Sequence, residues 1–176
     1  KYENKELNLL KKLKKNDNSI FLDIGANMGY YSIMSSNYGF KKIYAFEPVP
    51  KMINRIQQHI KINNLENLIE VIPYAIGEEN KKVSLYEEPT NYGGSSLFQA
   101  SQRTNEIKVK MISHNEFILQ NSIKNIDALK IDVEGYEDRV LMPFFRNSPV
   151  TLFPKLVIIE HSSLNEWKEN IINWMV

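Results

Sequence analysis

Apolar residues in this chain fall into short runs, set between segments where they recur every three or four positions. Ile20 to Ile24, Ile43 to Phe46, Ala128 to Val133 and Leu156 to Ile159 are the short, mostly apolar strands that a parallel sheet buries on both faces. Leu68 to Ile72, closed by Pro73, reads as a further strand, Lys82 to Tyr86 as an additional short one, and Glu106 to Ile112 alternates as a half-buried strand. The intervening segments have helical spacing. Leu7, Leu10 and Leu13 lie among lysines in an amphipathic helix assigned within residues 1–18, and Gly29 to Tyr38 makes a second helix ended by Gly39 at its C′ position. Pro48 and Pro50 introduce a third, with Ile53, Ile56 and Ile60 on one face. Tyr136 to Arg146 turns Val140, Leu141, Phe144 and Phe145 inward, and Leu164, Trp167, Ile171 and Trp174 mark a last helix. Residues 88–104 are polar and glycine-rich, with Asn91-Tyr92-Gly93-Gly94-Ser95-Ser96, and are predicted as a long loop that serves as a lid, contacts an acceptor or simply connects. The strand–helix–strand rhythm predicts an α/β fold, doubly wound around a mostly parallel sheet with helices on both faces.

Candidate chemistry concentrates where the first strand runs into the second helix. Asp23-Ile24-Gly25-Ala26-Asn27-Met28-Gly29 ends an apolar strand in a carboxylate and opens a helix through a glycine turn, and Phe46-Glu47-Pro48 ends the next strand in a second carboxylate. In open α/β sheets such strand ends form the ligand crevice. A dinucleotide fingerprint requires G-x-G-x-x-G, whereas Gly25 and Gly29 here are spaced G-x-x-x-G with Asn27 standing where the second glycine would be. A pyrophosphate would be crowded by that side chain. A nucleoside with an amino-acid tail and no phosphate tolerates the wider turn, whose amides, with the Asp23 carboxylate, suit a zwitterion. S-adenosylmethionine matches that description, and Glu47 is then placed to accept hydrogen bonds from both ribose hydroxyls. Asp23 and Glu47 lie 24 positions apart, room for one turn, one helix and one strand.

Size and charge narrow the reading without redirecting it. At 176 residues with 43% hydrophobic content the chain is expected to form a single domain, 1–176. Twenty-two basic and 21 acidic residues leave a formal charge of +1, so no large field draws in nucleic acid, and no nucleic-acid partner is expected. The absence of cysteine excludes disulfides, thiolate metal sites and cysteine nucleophiles. No apolar run approaches the roughly 20 residues of a membrane span, and a cytoplasmic location is expected.

Four segments together resemble the FkbM family of S-adenosylmethionine-dependent methyltransferases. They are Asp23 to Ser32 with Phe46-Glu47-Pro48; Ala75-Ile76-Gly77 with Gly94-Ser95-Ser96-Leu97; Leu129-Lys130-Ile131-Asp132-Val133-Glu134-Gly135-Tyr136-Glu137; and Ile159-Glu160-His161. The resemblance implies a class I methyltransferase fold, Rossmann-like, with a seven-stranded sheet, and methyl transfer to a hydroxyl on a sugar, glycan or natural product. N-methylation of an amino sugar, and a domain that holds the cofactor without turnover, are the alternatives. Two departures stand out. Ile112-Ser113-His114-Asn115 replaces a Thr-Leu-Asp-like turn, and the chain stops at Val176 before the C-terminal strand hairpin, which is therefore expected to be absent.

Extending the strand from Ala128 through Glu134 would place Asp132 and Glu134 on one face, with Lys130 below them, as a paired-carboxylate site or as an ion-paired cluster. Glu160 and His161, on the neighbouring strand, are expected at the same rim, His161 as general base with Asp132 or Glu134 orienting it or binding the acceptor. Asp132 facing the cofactor's ammonium is the other reading of that residue. The expected cofactor-binding set is Asp23, Gly25, Ala26, Asn27, Gly29, Glu47, Pro48, Tyr74, Ala75 and Asp132, with Tyr74 and Ala75 flanking the adenine. A divalent metal on these carboxylates and the imidazole is left open but not expected.

Overall fold

The computed structural model describes residues 3–88, 91–97 and 105–175. In chain order these form α1 (Glu3–Lys12), β1 (Ile20–Ile24), α2 (Tyr30–Ser35), β2 (Lys42–Phe46), α3 (Pro50–Ile62) and β3 (Ile69–Ile72). Next come β4 (Ala75–Gly77), β5 (Lys81–Glu88), β6 (Asn91–Ser96), β7 (Asn105–Ser113) and α4 (His114–Gln120). The last are β8 (Ala128–Ile131), α5 (Glu137–Asn147), β9 (Leu156–Ile159) and α6 (Ile171–Met175).

The short apolar runs pair as one parallel sheet in the order β3-β2-β1-β8-β9. Alternation along each strand feeds two cores, as period-two side chains must. Phe21, Ile43, Ala45 and Ala128 face one side and pack with Leu7 and Leu10 of α1 and Ile56 and Ile60 of α3. Leu22, Ile24, Tyr44, Phe46, Leu129 and Ile131 face the other, against Phe117 of α4, Val140, Leu141 and Phe144 of α5, and Ile171 of α6. The chain winds outward from β1 through β2 to β3, then returns to lay β8 against the other edge of β1. That reversal creates a crevice beyond the carboxyl ends of β1 and β8, where ligands of open α/β sheets lie.

The excursion between β3 and β8 builds a second sheet in the order β4-β7-β5-β6. β5 runs antiparallel to both β6 and β7, and β4 runs parallel to β7. Its apolar face brings Leu85 and Val109 against Val49 and Met52, at the end of β2 and the start of α3. Ser113 ends β7 and caps α4 by accepting the Glu116 N–H at 3.1 Å, so the departure at Ile112-Ser113-His114-Asn115 is a helix start. No helix among the described residues is long and apolar enough to cross a membrane.

Three expectations change. Asn91–Ser96 lies within the predicted 88–104 loop yet forms β6, with Tyr86 opposite Ser96 and Glu88 opposite Asn91 across a register shift. Pairing with β5 overrides the low strand propensity of Gly93 and Gly94; residues 89–90 and 98–104 of that segment lie outside the described ones. The last predicted helix splits into a 3-10 turn at Leu164–Glu166 and α6, because Asp138 accepts the Lys168 and Glu169 amides at 2.7 and 3.2 Å and diverts the backbone between them. The strand expected to run on through Val133 ends at Ile131.

Candidate active site

The turn after β1 is built from three left-handed residues in alternation, Gly25 at φ 73°, Asn27 at 53° and Gly29 at 83°. Glycine adopts this region freely and asparagine more readily than most residues. Gly25 is required for a second reason: a Cβ there would stand 1.9 Å from the Asp132 carbonyl oxygen. The amides of Gly25 and Ala26 both donate to the Phe46 carbonyl, at 3.1 and 2.9 Å, which binds the turn to the end of β2.

Glu47 locks the same two segments together. Its Oε2 accepts the Asn27 N–H at 2.9 Å and its Oε1 accepts the Val49 N–H at 2.8 Å, with the residue only 5% exposed. A carboxylate offers about four lone-pair sites, so acceptor capacity remains for a ligand. Burial pushes the Glu47 carboxyl up to about 7, against the pull of these two amides.

Asp23 has a different task from the one its sequence position suggested. It is fully buried and does not line the crevice; its Oδ2 accepts the Ser32 N–H at 3.0 Å and the Ser32 hydroxyl at 2.6 Å. Ser32 lies in the first turn of α2, whose cap residue, Gly29, has no side chain, so Asp23 satisfies a helix N–H from the neighbouring strand. Among the described residues its Oδ1 has no hydrogen-bond donor, and it faces the Lys130 ammonium at 3.7 Å. Burial raises the Asp23 pKa, with Lys130 and Ser32 opposing.

Lys130 is 6% exposed and is the hub of this region. Its Nζ donates to the Gly25 carbonyl at 2.9 Å, lies 3.5 Å from Asp132 Oδ2, and sits over the Tyr31 ring, 5.4 Å from its centroid. The anticipated contact between Lys130 and Asp132 is present, with Asp23 as an additional partner.

The crevice, open to solvent, is walled by Ile24, Gly25 and Asn27 at the end of β1 and by Phe46 to Val49 at the end of β2. Met52 of α3, Tyr74 to Ile76, Leu85 and Leu97 close the second side, and Asp132 to Glu134, Tyr136 and Val140 the third. Of the residues expected at the site, Gly25, Asn27, Glu47, Pro48, Tyr74, Ala75, Asp132 and Glu134 line this space. Ala26 and Gly29 support the turn from behind, Gly29 against Ile56.

The carboxylates after β8 differ from the expectation. With the strand over at Ile131, Glu134 takes φ 54° and Gly135 φ 98°, so period-two alternation does not place Asp132 and Glu134. A turn brings both to the crevice instead. His161 is exposed, in the segment after β9, and does not line the crevice, while the Glu160 carboxylate accepts the amide and hydroxyl of Ser162. Among the described residues no three His, Asp or Glu side chains converge as a metal site.

Val49, Met52, Leu85, Leu97 and Tyr136 line the crevice without having been anticipated. For Val49 and Met52 the available signal was their position shortly after Glu47, and for Leu97 its place in the Gly94-Ser95-Ser96-Leu97 segment; Leu85 gave none, since an apolar residue in a strand reads as core.

Residues 23–175 match the methyltransferase FkbM domain. Methyltransferase 1 of Beauveria bassiana is 26% identical over 71% of this chain and 58% of its own length. The hexuronic acid methyltransferase AglP of Haloferax volcanii is 26% identical over 71% of this chain and 49% of its own. The chain thus spans about half the length of the curated relatives it matches. Among solved structures, an rRNA methylase from Streptococcus thermophilus superposes over 97% of this chain and 76% of that one, with a TM-score of 0.54 at 14% identity. That likeness establishes the class I methyltransferase fold. From the glycine turn through the Lys130-Ile131-Asp132-Val133-Glu134-Gly135 segment and nearly to its last residue, the chain belongs to the FkbM methyltransferase family.

Proposed function

We propose that this chain is the methyl-transferring unit of an S-adenosylmethionine-dependent O-methyltransferase whose acceptor is a hydroxyl on a sugar, glycan or related small molecule. The observation that carries the reading is Glu47: a buried carboxylate aimed into the crevice, already anchored by one amide on each oxygen, with acceptor positions remaining for two ribose hydroxyls. The cradle fits as well, because backbone must approach closely where a Cβ on Gly25 would collide with Asp132. The hexuronic acid methyltransferase among the relatives supports a carbohydrate acceptor.

When bound, S-adenosylmethionine supplies a methyl group on a sulfonium centre, open to in-line displacement by an acceptor oxygen. The chain's residues orient and exclude water. Tyr74 and Ala75, which line the crevice with Met52 and Leu97, are assigned to the adenine, since an aromatic face and small apolar groups suit a flat ring. Asp132, steadied by Lys130, is the carboxylate assigned to the ammonium of the amino-acid tail, and Glu134 the one assigned to hold the acceptor hydroxyl or take its proton. His161 has no part in this assignment. Holding acceptor and donor in line is worth about 7–11 kcal/mol in well-oriented reactions.

Thermal melts test the cofactor directly. S-adenosylhomocysteine at 100 times its Kd should stabilise the chain by about 2.7 kcal/mol, whereas NAD at the same concentration should leave the melt unmoved. The reverse pattern would identify a nicotinamide enzyme. Transfer of labelled methyl from S-adenosylmethionine to hexuronic acids and neutral sugars then sorts the acceptor.

Glu47 also sets a pH dependence. Because its carboxyl titrates at about 7 in the free chain and the ribose contacts require its ionised form, affinity for S-adenosylhomocysteine should be about tenfold lower at pH 6 than at pH 8. Calorimetry at the two pH values checks this, and Glu47→Gln should bind weakly with the slope abolished. A wild-type affinity that is flat across this range contradicts the assignment.

A further inference from the structure

One peptide unit on the crevice wall is held at both ends by side chains from other elements. The Glu134 carbonyl accepts the Ser96 hydroxyl at 2.8 Å. The N–H of the same peptide, that of Gly135, donates to the Glu137 carboxylate, 3.1 Å from Oε2 and 3.3 Å from Oε1. Glu137, fully buried, also accepts the Val133 N–H at 2.9 Å and the Trp167 indole N–H at 2.7 Å. Ser96 is 1% exposed and ends β6, in the second sheet. The backbone so gripped has Glu134 at φ 54°, a conformation that costs energy for any residue with a Cβ and persists only where its surroundings impose it.

We propose that Ser96 and Glu137 are positioning residues: together they form a two-sided clamp that holds the Val133–Gly135 turn in its left-handed shape and so presents Val133 and Glu134 to the crevice. The inference rests on the methyl-transfer reading above and extends it to residues that touch neither donor nor acceptor. It also gives the Gly93-Gly94-Ser95-Ser96 segment a task, since the last residue of that strand reaches the crevice wall through a single hydroxyl. Glu137 is suited to its half of the clamp because a carboxylate only accepts, and here it meets two backbone amides and an indole with nothing left to donate.

The test uses the whole chain with Ser96→Ala, Ser96→Thr and Glu137→Gln, each also in a Trp174→Phe background so that Trp167 is the sole tryptophan. Calorimetry with S-adenosylhomocysteine measures the crevice, amide hydrogen exchange at Gly135 measures the clamped peptide, and Trp167 emission reports the Glu137 side. Ser96→Ala should weaken S-adenosylhomocysteine by about three- to tenfold and accelerate exchange at Gly135, the effect of one buried hydrogen bond. Ser96→Thr, which keeps the hydroxyl, should restore both. Glu137→Gln should shift Trp167 emission and weaken binding further; if that variant does not fold, the Ser96 pair decides alone. The proposal is overturned if Ser96→Ala binds like the wild type with unchanged Gly135 exchange, or if alanine and threonine are equally impaired. Should the wild type bind no S-adenosylhomocysteine, the methyl-transfer reading fails by itself, while Gly135 exchange still reports on the clamp.

Discussion

Gly25→Ala is expected to abolish S-adenosylhomocysteine binding and to destabilise the chain by about 2–5 kcal/mol. Two costs combine. A left-handed residue with a Cβ loses about 1–2 kcal/mol, and forcing extra volume into a packed site typically costs about 1–3 kcal/mol. At Gly25 the added carbon would stand 1.9 Å from a backbone oxygen, that of Asp132, which cannot swing away as a side-chain tip could. β8 and the turn must therefore separate, which pulls Asp132 from the crevice wall and weakens the Lys130 bond to the Gly25 carbonyl. Gly39→Ala is the matched control. Its φ of 87° carries the same left-handed cost, but the nearest atom is the flexible Lys15 Cδ at 3.6 Å, so that variant should lose only about 1–2 kcal/mol and keep its ligand. Equal losses in the two variants, or retained binding in Gly25→Ala, would show that the turn does not depend on the close approach.

Lys130→Met should cost about 3–5 kcal/mol near neutral pH, the usual result of removing one partner of a buried ion pair and leaving the other. For a chain of this size that lowers the melting temperature by about 10 °C or more. The pH dependence separates this cause from simple loss of packing. Burial already raises the Asp23 pKa, and without the ammonium 3.7 Å away it rises further. A carboxyl protonated in the folded chain but ionised in the unfolded one makes folding take up a proton, so its contribution is present below the ordinary carboxylate range and is lost as pH rises. The deficit of Lys130→Met should accordingly be smallest near pH 4 and grow towards pH 8, and adding Asp23→Asn should recover much of it at pH 8. A deficit of constant size across that interval would mean that the lysine stem, rather than its charge, is what matters.

Local features of the site were legible from residues alone, and those that depend on distant partners were not. Gly25, Asn27 and Glu47 could be found because turn chemistry and strand ends are written in consecutive residues, and the structure puts all three on the crevice wall. The parallel core was equally plain, since Ile20 to Ile24, Ile43 to Phe46, Ala128 to Val133 and Leu156 to Ile159 are apolar apart from the buried Asp23 and Lys130 and from Asp132 at the rim. The turn at Glu134 was invisible because it is imposed by Glu137 from three positions downstream and by Ser96 from another sheet. β6 is hidden for a related reason: Gly93 and Gly94 have no strand preference, and pairing with β5 is what makes that segment a strand. The period of Leu164, Trp167, Ile171 and Trp174 suggested a continuous helix, but Trp167 is committed to Glu137 and the residues after it to Asp138. Asp23 stands beside the turn as its sequence position implies, but it is bonded to Ser32 and buried, a placement that depends on α2 folding back over it and that no neighbouring residue announces.

The second sheet joins the parallel one twice, by Leu85 and Val109 on Val49 and Met52 and by Ile76 and Ile112, which share one core with Tyr44 and Phe46, and it adds the Ser96 hydroxyl. Such an arrangement makes the excursion between β3 and β8, with Phe117 of α4 edge-on to Tyr44 and Phe46, a structural part of the donor half. A foreign hairpin spliced in its place would have to supply counterparts of Ile76, Ile112 and Phe117 as well as of Ser96, and a transplant that kept only the Leu85 and Val109 contacts would strip the cover from Tyr44 and Phe46 and loosen the strand that leads into Glu47.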